Sequence, residues 1–163
     1  MDERADTVWV VPDDVRQPGS LDGVLVADFS RVLAGPLATM ILGDLGADVV
    51  KVEHPDGGDD TRAWGPPWSP DGGSSYYLGL NRNKRSVTLD LKDATDLDAA
   101  TELARRADVV IENFRPGVMR RYGLDEPAVR ATNPAVVSDR PRSRRLGRST
   151  GFCFACMMPF RLG

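Results

Sequence analysis

The sequence predicts an α/β fold, a parallel sheet with helices packed on its faces. Three observations predict it. Short valine-rich runs recur at VLVADF (24–29), ADVVKVE (47–53), 87–91 and ADVVIEN (107–113). Alanine- and leucine-rich stretches of helical length lie between several of them. Glycine, proline and aspartate punctuate the joints, as turns require.

Taken in order, residues 1–20 hold Pro12, Pro18 and Gly19 and one short apolar stretch, Val8 to Val11. They read as an extension or a lead-in strand. VLVADF, bounded by Gly23 and Ser30, suits a buried parallel strand. SRVLAGP then leads to Pro36, a residue favoured at the first position of a helix, and Gly46 supplies the stop. With the strand over 47–53 this makes a βαβ unit, whose crossover should be right-handed. Residues 54–77 read as a long loop whose tryptophans, Trp64 and Trp68, favour order and function. A strand over 87–91, a helix over 93–106 capped by Asp93, a strand over 107–113 and a short helix from Pro116 follow. No internal repeat is present.

Composition sets the class. The chain has 163 residues, 41% hydrophobic and 28% charged, enough for one domain with a real core. No apolar run approaches the roughly 20 residues of a membrane-spanning helix, and the acidic N-terminus lacks the order of a secretory signal. A cytoplasmic protein is expected, with no membrane partner. Cys153 and Cys156 are too few for a disulfide scaffold, and the single histidine, His54, makes a His-rich metal site or a Ser-His-Asp arrangement a poor expectation. No metal is expected. Residues 138–163 carry six arginines against one acid, Asp139, whereas the rest of the chain is acidic. A nucleic-acid-binding arm is disfavoured because no aromatic stacking platform accompanies that tail.

In a parallel sheet, ligands bind beyond the carboxyl ends of the strands. Three segments qualify: 31–36, 54–68 and 113–117. The first places small residues before a helix start, which suits close approach by an anion, although an ordinary turn has the same appearance. Arg62, Arg82, Lys84 and Arg85 suit a polyanionic ligand, or else a solvated basic loop. Arg115, with Arg120 and Arg121 downstream, allows a phosphate clamp or a plain surface helix.

The order of these segments resembles the CaiB/BaiF family, the class III CoA-transferases. The wording that carries it is LDGVLVADFSRVLAGPLATMILGDLGADVVKVEHPDGGDDTRAWGPP, then NRNKRSVTLDLK, then ADVVIENFRPGVMRRYGL and NPAVV, over residues 21–137. The resemblance implies a Rossmann-like large domain, incomplete here, that binds coenzyme A or acyl-CoA as substrate and needs no metal. It implies CoA contacts at Leu33, Ala34, His54, Trp64, Leu89, Lys92, Asn113, Phe114 and Arg121. It also implies transfer of CoA between carboxylic acids. In that reaction an aspartate attacks the acyl-CoA thioester to give a mixed anhydride, and CoA thiolate returns to give an aspartyl-CoA thioester. Intact relatives form interlocked homodimers.

The chain departs from the family after residue 137. The expectation is an atypical tail over 138–163, translated out of frame, with the family aspartate beyond residue 163 and no catalytic residue in this chain. Reading the coding DNA in its other two frames tests this, and no family-like continuation in either would refute it. The alternatives are a non-catalytic CoA-binding remnant and a fragment of an α-methylacyl-CoA racemase-like enzyme.

Overall fold

The computed structural model describes residues 19–139. Five strands and five helices follow one another in it: β1 (Leu25–Asp28), α1 (Ala34–Asp44), β2 (Asp48–Glu53), α2 (Ser75–Asn81), β3 (Lys84–Thr88), α3 (Ala94–Arg106), β4 (Val109–Ile111), α4 (Val118–Arg121), α5 (Glu126–Thr132) and β5 (Val137–Asp139). A 3-10 turn, Asp60–Ala63, lies between β2 and α2. All strand pairings are parallel, in the order β3-β2-β1-β4-β5. Succession therefore reverses between β1 and β4, and the loops that leave those two strands diverge around a switch point. The expected α/β architecture is present.

The period-2 geometry of a strand explains how the sheet is divided. Ala27, Phe29, Val52 and Val110 project to one face and join Ala100, Ala104 and Ala107 from α3 and its end, Met119 from α4, and Val129 from α5 in one buried cluster. Small alanines on α3 let that helix lie close to the strands. Each fully buried valine there contributes roughly 1.5–3 kcal/mol of transfer free energy. Val26 and Val49 project to the other face, where a smaller apolar cluster also includes Ala47. Towards the carboxyl ends of the strands that second face becomes charged.

The elements begin and end for local reasons. Gly35 in α1 faces the Ser30 side chain so closely that a Cβ would collide with it. Gly46 has φ +104° and lies against Gly19, so it ends α1 where a side chain would be both strained and blocked. Asp93 caps α3, accepting from the Thr95 and Asp96 amides, as the sequence predicts.

Several boundaries differ from the sequence reading. Helix α1 starts at Ala34, so Pro36 is the third residue of its first turn, where an amide has no intrahelical acceptor and its lack costs nothing. Strand β3 covers Lys84–Thr88 rather than 87–91, because Lys84 and Ser86 turn inward to carboxylates of β1 and β2. Leu89 and Leu91 then fall just beyond the strand. The segment 54–77 is not a plain loop. It holds the 3-10 turn, and α2 begins within it behind a Ser74 cap that accepts from the Tyr77 amide. Helix α5 has no counterpart in the sequence reading, although Asp125 at its cap and Pro127 in its first turn are the appropriate signals. The expectations for residues 1–18 and 140–163, including the Cys153–Cys156 pair, lie outside the described residues; of the tail expected from residue 138, Ser138 and Asp139 are described and complete β5.

Candidate functional site

A cleft of about 180 Å³ opens beyond the carboxyl ends of β1, β2 and β3 and is closed on one side by α4. Its apolar lining comes from Phe29, Val52, Leu89, Leu91, Phe114 and Tyr122, several of which also pack on the core cluster. Arg31, His54, Asp90 and Lys92 contribute its more exposed polar lining, and Lys51, Glu53 and Asp59 its buried polar lining. An apolar wall with a few convergent polar groups is the usual make-up of a small-molecule site.

The buried charges form a continuous network. Lys51 Nζ pairs with Asp59 Oδ2 at 2.9 Å and donates to the Ser30 carbonyl at 2.9 Å. Lys84 Nζ pairs with Asp28 Oδ2 at 3.1 Å, and Asp28 also accepts from the Thr39 hydroxyl at 2.6 Å and from the hydroxyl and amide of Ser30. Glu53 accepts from Arg62 through both carboxylate oxygens at 2.7 Å, and from the Tyr77 hydroxyl, the Ser86 hydroxyl and the Asp59 amide. Burial alone would raise the Glu53 carboxyl, but these donors outweigh it and hold it at about 2. Burial of Asp59 is likewise outweighed, chiefly by Lys51 and Thr61, so its carboxyl stays below the usual range. Burial lowers the Lys84 ammonium despite the pull of Asp28. Among the described residues, every buried side-chain nitrogen and oxygen has a hydrogen-bond partner.

This network revises one reading of the sequence. Each of the cations around NRNKRS meets a carboxylate of this chain. Arg62 grips Glu53, Arg82 pairs with Asp44, Lys84 is buried against Asp28, and Arg85 pairs with Asp48. Their work is internal. Of the basic side chains lining the cleft, Lys51 is paired with Asp59, Arg31 holds Asp60 at 2.8 Å, and His54 Nε2 lies 3.7 Å from Asp90. Lys92 is the lining cation that makes no ion pair among the described residues.

The residues expected to contact CoA fall into groups. His54, Leu89, Lys92 and Phe114 meet in the cleft. Asn113 stands beside it and clamps Arg31 across the switch point, accepting from the Arg31 amide at 2.8 Å and donating to the Arg31 carbonyl at 2.7 Å. Leu33 and Ala34 lie at the start of α1, outside the lining. Trp64 borders a second, more open hollow with Asp56 to Asp60, and its ring stands 5.2 Å from that of Tyr76. Arg121 is exposed at the end of α4. Sequence reasoning missed Lys51, Glu53, Asp59 and Tyr122. A signal for the first two was present: Lys and Glu two apart inside an apolar strand point to the same face. Among the described residues no group of three or more His, Cys, Asp or Glu side chains is placed to hold a metal ion. No helix there is long and apolar enough to cross a membrane.

Residues 21–140 match CoA-transferase family III. The chain belongs to this family. Family III relatives include the succinate–glutarate CoA-transferase of Agrobacterium fabrum, 50% identical over 122 residues, which are 72% of this chain and 30% of that protein. The human succinyl-CoA:glutarate CoA-transferase is 46% identical over 76% of this chain and 28% of its own length. The acetyl-CoA:oxalate CoA-transferase of Acetobacter aceti is 46% identical over 73% and 30%. A CaiB/BaiF family protein from Brucella suis superposes with a TM-score of 0.71 at 44% identity, over 75% of this chain and 33% of that one. The family III chain thus spans about 30% of the length of the curated relatives it matches.

Proposed function

We propose that residues 21–137 form the CoA-binding part of a CoA-transferase that moves CoA between carboxylic acids. The observation that carries this reading is the cleft itself. It gathers His54, Leu89, Lys92 and Phe114 beyond the strand ends, with apolar walls and, in Lys92, a lining cation that makes no ion pair among the described residues. Apolar walls suit the adenosine or pantetheine portions of CoA, and Lys92 suits a phosphate as a point charge. Asn113 serves through the loop that it clamps, and Trp64, Leu33, Ala34 and Arg121 supply contacts around the rim.

In the whole enzyme the nucleophilic aspartate comes from outside residues 21–137. A carboxylate is a weak nucleophile, so its site must orient it and keep water away. The proposed donors and acceptors are dicarboxylic acids and their CoA thioesters, supported by relatives named for succinate, glutarate and oxalate. Interlocked pairing of two chains belongs to the same proposal.

Calorimetric titration of the 163-residue chain with CoA tests the binding claim. Saturable binding is expected, weakened about tenfold by Lys92→Ala, which corresponds to roughly 1.4 kcal/mol. Absence of binding, or an affinity indifferent to Lys92, would contradict it.

A further inference from the structure

The loop between β1 and α1 is held in an unusual way. Val32 has φ +70°, in the left-handed region that β-branched residues almost never enter. A single residue persists there only when its surroundings over-determine it. Here they do. The Ser30 amide donates to Asp28 at 2.9 Å, and the Ser30 carbonyl accepts from Lys51 at 2.9 Å. The Arg31 amide and carbonyl are both taken by Asn113. The Val32 amide points at the Asp59 carboxylate, 3.2 Å from Oδ2 and 3.4 Å from Oδ1. Asp59 cannot swing away, because Lys51 and the amide and hydroxyl of Thr61 hold it. Three separate segments thus fix three successive residues, and the middle one, Arg31, lines the cleft.

We propose that Asp59 is a positioning residue for the cleft: by accepting the Val32 amide it keeps the loop in its left-handed turn and so holds Arg31 at the cleft wall, where an anionic part of the bound CoA competes with Asp60, 2.8 Å away, for the guanidinium. The inference rests on the CoA-binding reading above. Asp59 touches no ligand in this account. It acts through Val32 and Arg31, and the conformational cost at Val32 is what makes it necessary.

The test uses the 163-residue chain in three forms. Asp59→Ala removes the acceptor and is expected to weaken CoA binding about tenfold and to speed hydrogen exchange at the Val32 amide. Adding Val32→Gly, which enters the same backbone region without penalty, is expected to bring the affinity back to within about threefold of the unaltered chain. Thermal stability is expected to stay reduced in that double variant, since Lys51 still lacks its counter-charge. A purely structural role gives another pattern, in which Val32→Gly restores nothing or Asp59→Ala binds CoA as before, and either result overturns the inference. Should Asp59→Ala fail to fold, Arg31→Ala decides. A tenfold weaker affinity at unchanged stability supports the proposal, and unchanged affinity overturns it. If the unaltered chain does not bind CoA, the functional reading itself fails and takes this inference with it. Binding by the unaltered chain that is insensitive to both Asp59 and Arg31 refutes the positioning role alone.

Discussion

The two faces of the sheet are built on different principles. The face under α3 and α5 is apolar, with Ala27, Val52, Val110, Ala100, Ala104 and Val129 packed into one cluster. The face towards α1 and α2 carries Asp28, Lys51 and Glu53 towards the carboxyl ends of β1 and β2 and Lys84 at the start of β3, with Lys51 only 1% exposed. One face gains stability from burial, which is non-directional. The other depends on pairing, because each buried charge without its partner is costly. The difference bears on function. The cleft forms where the faces meet, taking apolar walls from the first and a fixed loop geometry from the second.

The largest expected effect comes from unpairing the charged face. Lys51→Met leaves Asp59 buried without its cation and should destabilise the chain by about 3–5 kcal/mol in denaturant unfolding. A loss below about 1 kcal/mol would show that the network is not a unit. The next effect separates the faces by pH. The Glu53 carboxyl, held at about 2 against an ordinary 4.5, is depressed in the folded state. Its contribution is therefore full above pH 4.5 and lost as pH falls towards 2, on the order of 3 kcal/mol across that window. Met119→Ala, on the apolar face, should cost about 3 kcal/mol by an equal amount above that window and within it. Unfolding curves at several pH values check both statements, and a Met119→Ala loss that grew with acidity would erase the distinction. The smallest effect belongs to neither face. Asp93→Ala removes the α3 cap and should cost about 1 kcal/mol, read as a lower denaturant midpoint.

The same division explains what was legible in the sequence. Valine runs and alanine-rich segments announce burial, so β1, β2, α3 and β4 were readable within a few residues. The cap at Asp93 was readable because it is local. The charged face was misread because its residues have the wording of a solvated loop. NRNKRS looks like free cations, yet Lys84 finds Asp28 more than thirty residues away. Such pairs depend on strand order, which no local window contains. Strand β3 was placed three residues late for the same reason, since its inward positions are Lys84 and Ser86 rather than valines. In the cleft, His54, Leu89, Lys92 and Phe114 were named from the resemblance, whereas Asp59 acts through a backbone amide that sequence wording does not reveal.

The most direct test of the central claim is a backbone amide spectrum of the isotopically labelled 163-residue chain during titration with CoA. Saturable shifts centred on His54, residues 89–92 and Phe114 are predicted. Shifts confined to the exposed apolar side of α1, at Leu37, Ile41 and Leu45, or no saturable shift at all, would contradict the account.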